Sequence, residues 1–339
     1  MAFQGLASRA FITGLSGPTI APLERAFLRE ARPWGLIIFK RNISDPRQVT
    51  DLVRDFRDTV GWEAPVLVDQ EGGRVQRLGP PHWPAYPPGA VFSAIYDRDP
   101  TSGLAAARLG AHLIASDLRA LGIDVDCLPL ADVPVPDGDD VIGDRAYGTE
   151  PAKVAAIAGA VAEGLLAGGV LPVLKHLPGH GRARADSHKE LPVVETDRAT
   201  LEKTDFAAFR PVSHLPLGMT AHVVFSAIDA HAPATTSVTM VSEVIRGFIG
   251  FDGLLMSDDV SMGALSGTIA ERSQAALAAG CDVVLHCNGD LNEMSEVARV
   301  APELTGAAAI RASRALSMRS QREAFDVAEA RRIFDAMVA

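Results

Sequence analysis

The sequence predicts an α/β protein with a single (β/α)8 barrel, on three observations. Short apolar runs alternate with longer Ala-rich helical patterns along nearly the whole chain, and there are eight such runs. The runs are continuously apolar, which is typical of strands covered on both faces. Repeated βα units favour a parallel sheet, and eight of them favour a TIM-type barrel. A doubly wound sheet is the alternative, although no Gly-x-Gly-x-x-Gly motif opens a helix.

Strands and helices alternate along the chain. The predicted strands cover residues 9–15, 35–39, 65–68, 123–128, 170–174, 218–221, 253–256 and 282–286. Helical patterns cover residues 21–31, 46–60, 102–121, 151–166, 198–210, 239–248, 268–279 and 291–300. Residues 72–100 are rich in proline and aromatic side chains, which excludes a regular helix and predicts a loop over the barrel mouth. We therefore expect one catalytic domain, residues 1–339, with C-terminal helices over about 305–339 packed outside the barrel.

Composition and charge exclude several classes of protein. A net charge of −10 argues against nucleic acid and anionic membranes as main partners. The N-terminal apolar stretch around Phe11 and Ile12 is too short for a signal peptide or a membrane span. Three sparse cysteines, Cys127, Cys281 and Cys287, indicate free thiols in a reducing compartment. We expect a cytoplasmic, monomeric protein without a cofactor.

Charged and polar side chains follow six successive predicted strands, at the edge where such barrels carry their active sites. The richest segment is Lys175-His176-Leu177-Pro178-Gly179-His180-Gly181, followed by Asp186-Ser187-His188. The other strands contribute residues 69–77, Asp132 with residues 143–148, His222, residues 257–262 and residues 286–288. The pattern predicts an enzyme with one active site at the C-terminal ends of the strands.

Two chemistries fit these residues. In the first, His176, His180 and His188 with the Asp258–Asp259 pair would bind a metal ion. The first strand lacks the His-x-His that barrel metallohydrolases commonly carry, and no His-Glu-x-x-His occurs. In the second, a carboxylate such as Asp258 attacks a sugar carbon while another group handles the leaving-group proton, as in retaining glycosidases. Arginine and lysine side chains would hold the sugar hydroxyls through charge-assisted hydrogen bonds.

These segments resemble the motifs of glycoside hydrolase family 3, most closely those of the bacterial β-N-acetylhexosaminidases of cell-wall recycling. The segment from Lys175 to His188 resembles the family signature, and residues 69–77, 142–145 and 257–262 resemble further motifs in the same order. The resemblance covers roughly residues 9–300. It implies a retaining exo-β-N-acetylglucosaminidase that releases terminal N-acetylglucosamine from peptidoglycan fragments such as GlcNAc-1,6-anhydro-MurNAc peptides.

The resemblance also implies a role for each candidate residue. Asp258 would be the nucleophile that forms a covalent glycosyl-enzyme, and His188, oriented by Asp186, would be the acid/base on a mobile loop. The N-acetylglucosamine unit would be bound by Asp69, Arg77, Arg145, Lys175 and His176, and no metal ion would take part. Spacing alone does not decide between Asp258 and Asp259, whereas family order favours Asp258.

The Asp186–His188 dyad is also reasonable on chemical grounds. Imidazole in general exchanges protons near neutral pH, and a nearby carboxylate can fix its tautomer. Gly179 and Gly181 would let the loop swing over the bound sugar, whereas His180 is interpreted as loop packing. Two other functions stay open: transfer of the sugar to phosphate by the same residues, and a non-catalytic sugar-binding barrel. His222 and Asn288 lie at strand ends, where they would either line the pocket or serve the structure, and Trp83 and Tyr86 would either stack on a second sugar or, as is more usual in a proline-rich loop, pack it down.

Overall fold

Eight parallel strands close into a barrel, as the sequence predicts. A computed structural model describes residues 8–320, 323–324 and 326–339, so residues 1–7, 321–322 and 325 of the predicted domain lie outside the described residues. The strands are β1 (Arg9–Thr13), β2 (Pro33–Ile38), β3 (Val66–Val68), β4 (Val125–Asp126), β5 (Leu171–Leu177), β6 (Leu217–Thr220), β7 (Leu254–Asp259) and β8 (Val283–His286). Each strand pairs with its neighbours in chain order, and β8 closes the barrel on β1.

Helices connect the strands and form the outer layer. They are α1 (Pro22–Ala31), α2 (Pro46–Val60), α3 (Gly89–Arg98), α4 (Pro100–Ala120), α5 (Pro151–Ala167), α6 (Arg198–Lys203), a π-helix (Met240–Phe248), α7 (Ile269–Ala279), α8 (Leu291–Val300), α9 (Gly306–Ser317) and α10 (Val327–Val338). Caps fix several starts; Asp45, for example, accepts a hydrogen bond from the Gln48 backbone N–H at the start of α2. Within the described ranges, no helix has the length and hydropathy that crossing a bilayer requires.

Two local predictions are wrong. Residues 72–100 are not irregular throughout, because α3 begins directly after Pro88, where the run of prolines ends. A short antiparallel hairpin, Gln70–Gly72 with Val75–Gln76, also starts this region. The predicted helix over 198–210 ends at Lys203, because Thr204 leaves the helical backbone conformation (φ −118°, ψ −86°), and the chain continues as two 3-10 turns.

The barrel interior sets the position of the site through the two-residue repeat of the strands. Apolar residues from all eight strands point inward and are buried, including Ile37, Leu67, Val173, Met256 and Leu285. Each such side chain contributes about 1.5–3 kcal/mol through burial. The next inward position lies two residues further on, at the barrel mouth. There the sequence places Phe39, Asp69, Lys175, Asp258 and Cys287, all of which line one cavity.

The opposite end of the barrel is closed by α9. Its residues Ala312, Ala315 and Leu316 pack into the same interior cluster as the lower strand residues. Further along, α10 lies on α4, where Phe334 is buried. The barrel interior is thus filled by side chains, and the cavity lies at the C-terminal ends of the strands.

Candidate active site

A cavity of about 700 Å³ opens at the C-terminal ends of the strands, a volume suited to a small ligand. All eight predicted site residues line it: Asp69, Arg77, Arg145, Lys175, His176, Asp186, His188 and Asp258. They come from β5, β7 and the loops that follow β3, β4 and β5. The structure thus brings together side chains that are up to 189 positions apart in the chain (258 − 69 = 189).

A buried cluster of charges forms one wall. Lys175 Nζ lies 3.1 Å from Asp69 Oδ1 and 2.7 Å from Glu71 Oε1. Arg145 donates two hydrogen bonds of 2.8 Å to the Glu71 carboxylate, and Arg77 donates one of 2.9 Å to Asp69. Glu71 has no predicted role. The available signal is that Glu71 lies two residues beyond Asp69, on the same side of an extended segment.

The charges in this cluster compensate one another. Burial alone would raise the pKa of Asp69 and Glu71, but the neighbouring cations outweigh burial and hold the pKa of both carboxyls below the usual range. Burial lowers the pKa of Lys175, and the two carboxylates raise it by more, so that this pKa ends above its ordinary value. Lys175 therefore stays charged and can donate to a ligand, although its side chain is almost fully buried.

His176 is oriented by Asp132, another residue without a predicted role. His176 Nδ1 and Asp132 Oδ2 are 2.7 Å apart, and Asp132 Oδ1 accepts a 2.6 Å hydrogen bond from the His180 backbone N–H. Burial alone would raise the pKa of Asp132, but the imidazoles of His176 and His180 hold it below the usual range. Because Asp132 occupies Nδ1, the ring of His176 presents its other nitrogen to the cavity.

The structure distinguishes Asp258 from Asp259. The Asp259 carboxylate accepts hydrogen bonds from the Ser261 backbone N–H (3.0 Å), the Ser261 hydroxyl (2.7 Å) and the Cys287 backbone N–H (3.1 Å). Asp258 Oδ1 accepts one bond of 2.8 Å from the Asp259 backbone N–H, and among the described residues none donates to Oδ2. Asp259 is thus committed to holding the loop, whereas Asp258 has an oxygen free for chemistry.

The pKa of Asp258 reflects the groups around it. Burial raises this pKa, but His222, His176, the Asp259 backbone N–H and His188 together hold it below the usual range. The Asp258 carboxyl is therefore ionised at neutral pH, as a nucleophile must be. Asp186 and His188 line the same cavity as Asp258.

His222 lies behind β7 and is fully buried. Its Nε2 is 3.0 Å from the Asp259 carbonyl oxygen and its Nδ1 is 2.7 Å from the Thr235 hydroxyl. Thr235 Oγ1 is in turn 2.8 Å from Thr220 Oγ1, which accepts a 3.4 Å bond from the Asp258 backbone N–H. Burial lowers the pKa of His222, so the ring is neutral. His222 supports the backbone of Asp258 and Asp259 and does not line the cavity.

The dyad lies on the loop after β5. The Asp186 carboxylate accepts hydrogen bonds from the His188 backbone N–H (3.0 Å) and lies 2.8 Å from His188 Nδ1. Burial raises the pKa of Asp186, but its bonds to His188 and Lys189 lower it by more, to about 2. The ionised carboxylate accepts from Nδ1 and so fixes the His188 tautomer, in which Nε2 carries no proton when the ring is neutral.

Gly179 and Gly181 are needed in the loop for different structural reasons. Gly179 has a φ of +145°, which L side chains rarely adopt. At Gly181 a Cβ atom would overlap the Val133 carbonyl group, so this glycine is required by a close backbone contact. Glycine at 181 therefore docks the loop against the segment after β4.

Of the four secondary candidates, Asn288 lines the cavity. Trp83 and Tyr86 are buried and hold the proline-rich segment in place, with the Tyr86 ring packed against Phe334. In the described part of the chain, no three His, Cys, Asp or Glu side chains are grouped so that they could hold a metal ion.

Comparison with known proteins identifies the family. The family model "Glycosyl hydrolase family 3 N terminal domain" matches residues 19–315. The beta-hexosaminidase of Alkalilimnicola ehrlichii is 41% identical over 286 residues, which cover 81% of this chain and 79% of the relative. The beta-hexosaminidase of Bordetella avium is 38% identical over 278 residues, again 81% of this chain and 79% of the relative.

A solved structure agrees over the whole fold. NagZ from Neisseria gonorrhoeae in complex with N-trifluoroacetyl-D-glucosamine superposes with a TM-score of 0.88 at 27% identity, over 99% of each chain. The resemblance noted in the sequence and the predicted barrel are both confirmed. The chain belongs to glycosyl hydrolase family 3 and is a glycoside hydrolase.

Proposed function

We propose that the protein is a retaining exo-β-N-acetylglucosaminidase. It removes terminal N-acetylglucosamine from the non-reducing end of peptidoglycan fragments such as GlcNAc-1,6-anhydro-MurNAc peptides. The relatives named beta-hexosaminidase and the N-trifluoroacetyl-D-glucosamine bound to the gonococcal enzyme support an amino sugar as the substrate. We also propose that the enzyme acts as a monomer in the cytoplasm, where the free thiols of its three cysteines would stay reduced.

One observation carries the proposal: an ionised carboxylate with a free oxygen, Asp258, faces the same cavity as the Asp186–His188 dyad. In the first step, Asp258 Oδ2 bonds to the anomeric carbon as the bond to the leaving-group oxygen breaks, and His188 gives its proton to that oxygen. In the second step, neutral His188 takes a proton from water, whose oxygen displaces Asp258. Two inversions leave the β configuration unchanged.

The charged cluster would hold the sugar during both steps. Lys175 and Arg77 bring donors to the cavity wall, and Asp69 offers carboxylate oxygens to sugar hydroxyls. Arg145 and His176 complete the proposed sugar site. Apolar side chains fill the barrel interior, so the sugar would bind at the mouth. The names of the relatives favour hydrolysis over transfer to phosphate.

Matched aryl glycosides test the function. The protein should hydrolyse 4-nitrophenyl β-N-acetylglucosaminide far faster than the β-glucoside, and NMR should show the β-anomer as the first sugar product. Asp258→Asn should lower turnover by at least about 10³-fold with the fold unchanged by circular dichroism. Initial release of the α-anomer, or wild-type turnover by Asp258→Asn, would contradict the proposal.

A further inference from the structure

The loop that carries the dyad is fastened by a side chain that the proposed chemistry does not use. Ser187 lies between Asp186 and His188, and its Oγ is joined to His180 Nε2 by a hydrogen bond of 2.9 Å. Both ends are buried: Ser187 is 2% exposed and His180 is 3% exposed. The His188 side chain, by contrast, is 66% exposed. The His188 side chain therefore contributes little to holding the loop in place.

His180 is a rigid anchor for this bond. Its backbone N–H donates to Asp132 Oδ1 over 2.6 Å, and the same carboxylate orients His176 in the sugar site. The rings of His176 and His180 meet edge to face with centroids 5.7 Å apart. Through His180 and Asp132, the Ser187 hydroxyl is therefore connected to His176 of the proposed sugar site.

Ser187 also joins the loop to the segment that follows β7. The Ala264 backbone N–H donates to the Ser187 carbonyl, and the Gly263 N–H donates to the His188 carbonyl, both over 3.2 Å. Gly263 and Ala264 follow Asp258 by five and six residues (263 − 258 = 5; 264 − 258 = 6). The loop is therefore held from two sides, and at Ser187 a side-chain bond and a backbone bond meet.

We propose that His180 and Ser187 are positioning residues, whose hydrogen bond is a latch that keeps the loop docked with His188 beside the bond to be cleaved. The proposal rests on the acid/base role of His188. Breaking the latch leaves the sugar cluster and Asp258 in place, but it lowers the fraction of molecules in which His188 can donate its proton. The loss therefore depends on how much the leaving group needs that proton.

The latch is uncharged under ordinary conditions. Burial and the neighbouring His176 lower the pKa of His180 to about 4, so its bond to Ser187 does not change between about pH 5 and 8. Asp132, Asp258 and His176 also face His180; the two carboxyls have pKa values below the usual range and stay ionised over this interval, and the Ser187 hydroxyl does not titrate in it. The effect of removing the latch should accordingly be the same at pH 5.5 and pH 7.5.

Leaving-group dependence tests the latch in Ser187→Ala. We expect kcat on phenyl β-N-acetylglucosaminide to fall about 10-fold and kcat on the 2,4-dinitrophenyl glycoside to fall less than twofold, with KM within twofold for both. Arg184→Ala is the control. Arg184 lies on the same loop as Ser187, and its ion pair with Asp137 is exposed, so its removal should change neither rate. His180→Gln, which keeps a hydrogen-bonding group, should lie between wild type and Ser187→Ala.

Equal losses on both substrates, or no loss on either, would overturn the latch. Thermal unfolding checks that Ser187→Ala remains folded at the assay temperature. His188→Ala separates the acid/base role of His188 from the latch. If His188→Ala selectively loses activity on the phenyl glycoside and Ser187→Ala does not, only the latch fails. If His188→Ala shows no leaving-group dependence, the acid/base assignment and the latch both fail.

Discussion

At the scale of single residues, the sugar site depends on charges that are almost completely buried. Lys175 is placed between Asp69 and Glu71, and Glu71 also holds Arg145. Burying ions is unfavourable unless their partners are close and well aligned, and removing one partner of such a pair typically costs about 3–5 kcal/mol. Glu71 therefore fixes the positions of Lys175 and Arg145, two of the proposed sugar-binding residues, although it is missing from the residues that line the cavity.

Glu71→Gln should change the pH dependence of substrate binding. Glu71 is the larger of the two carboxylate influences that raise the pKa of Lys175. Without that charge, Lys175 loses its proton at a lower pH than in the wild type, so KM should rise earlier as pH increases. At neutral pH we expect kcat/KM to fall about 10- to 100-fold.

Steady-state kinetics on an aryl N-acetylglucosaminide between pH 6 and 10 check this expectation. Glu163→Gln is a control, since Glu163 lies on α5 away from the cavity. A pH profile parallel to that of the wild type would show that Glu71 does not keep Lys175 charged.

At the scale of elements, the two-residue repeat of the strands determines which residues reach the site, and contacts between loops determine how their side chains are oriented. The apolar strand cores predict that Asp69, Lys175 and Asp258 share one edge, because each lies two residues beyond an inward-facing residue. The pairing of Asp132 with His180 could not be predicted, because it joins loops after β4 and β5 that have no common repeat. The end of the helix at Lys203, where the sequence predicts a helix as far as residue 210, could not be predicted either.

Gly181→Ala tests how the loop after β5 is docked. The added methyl group would overlap the Val133 carbonyl, so the loop must move away, at a cost of about 1–3 kcal/mol. We expect kcat/KM on the phenyl glycoside to fall at least 10-fold, because His188 moves with the loop.

Gly159→Ala is the matched control for the same change. Gly159 lies within α5, and a Cβ atom there would meet only Val212 at 3.7 Å. Activity should be unchanged, and stability should rise by up to about 1 kcal/mol. Wild-type activity in Gly181→Ala would mean that the loop reaches its position without this close contact.

At the scale of the whole molecule, the sequence predicts the barrel well because each strand core carries its own signal. The C-terminal region is different, since its packing rests on ion pairs between distant segments. Arg311 of α9 donates to Asp282 at the start of β8 over 3.0 Å, and Arg246 donates to the same carboxylate over 2.8 Å. Asp282 also accepts a 2.9 Å bond from the Leu255 backbone N–H. No local pattern reveals such pairs.

Asp282→Asn should destabilise the protein without changing catalysis. The variant leaves Arg246 and Arg311 without a buried carboxylate, so we expect the free energy of unfolding to fall by roughly 3 kcal/mol in urea titrations. Asp252→Asn is the matched control, because Asp252 also pairs with Arg311 but is 68% exposed. It should change stability by less than about 1 kcal/mol. Equal effects of the two variants, or a lowered kcat in Asp282→Asn at 25 °C, would contradict this view of the barrel base.

The central claim is that Asp258 forms a covalent bond to the sugar, and trapping that intermediate tests it most directly. The enzyme would be incubated with 2-acetamido-2-deoxy-5-fluoro-β-D-glucosyl fluoride, whose fluorines speed formation of the glycosyl-enzyme relative to its breakdown. Peptide mass spectrometry should then find the sugar on Asp258 alone. A sugar on Asp259 or Asp69, or complete turnover of the reagent without any labelled peptide, would contradict the account.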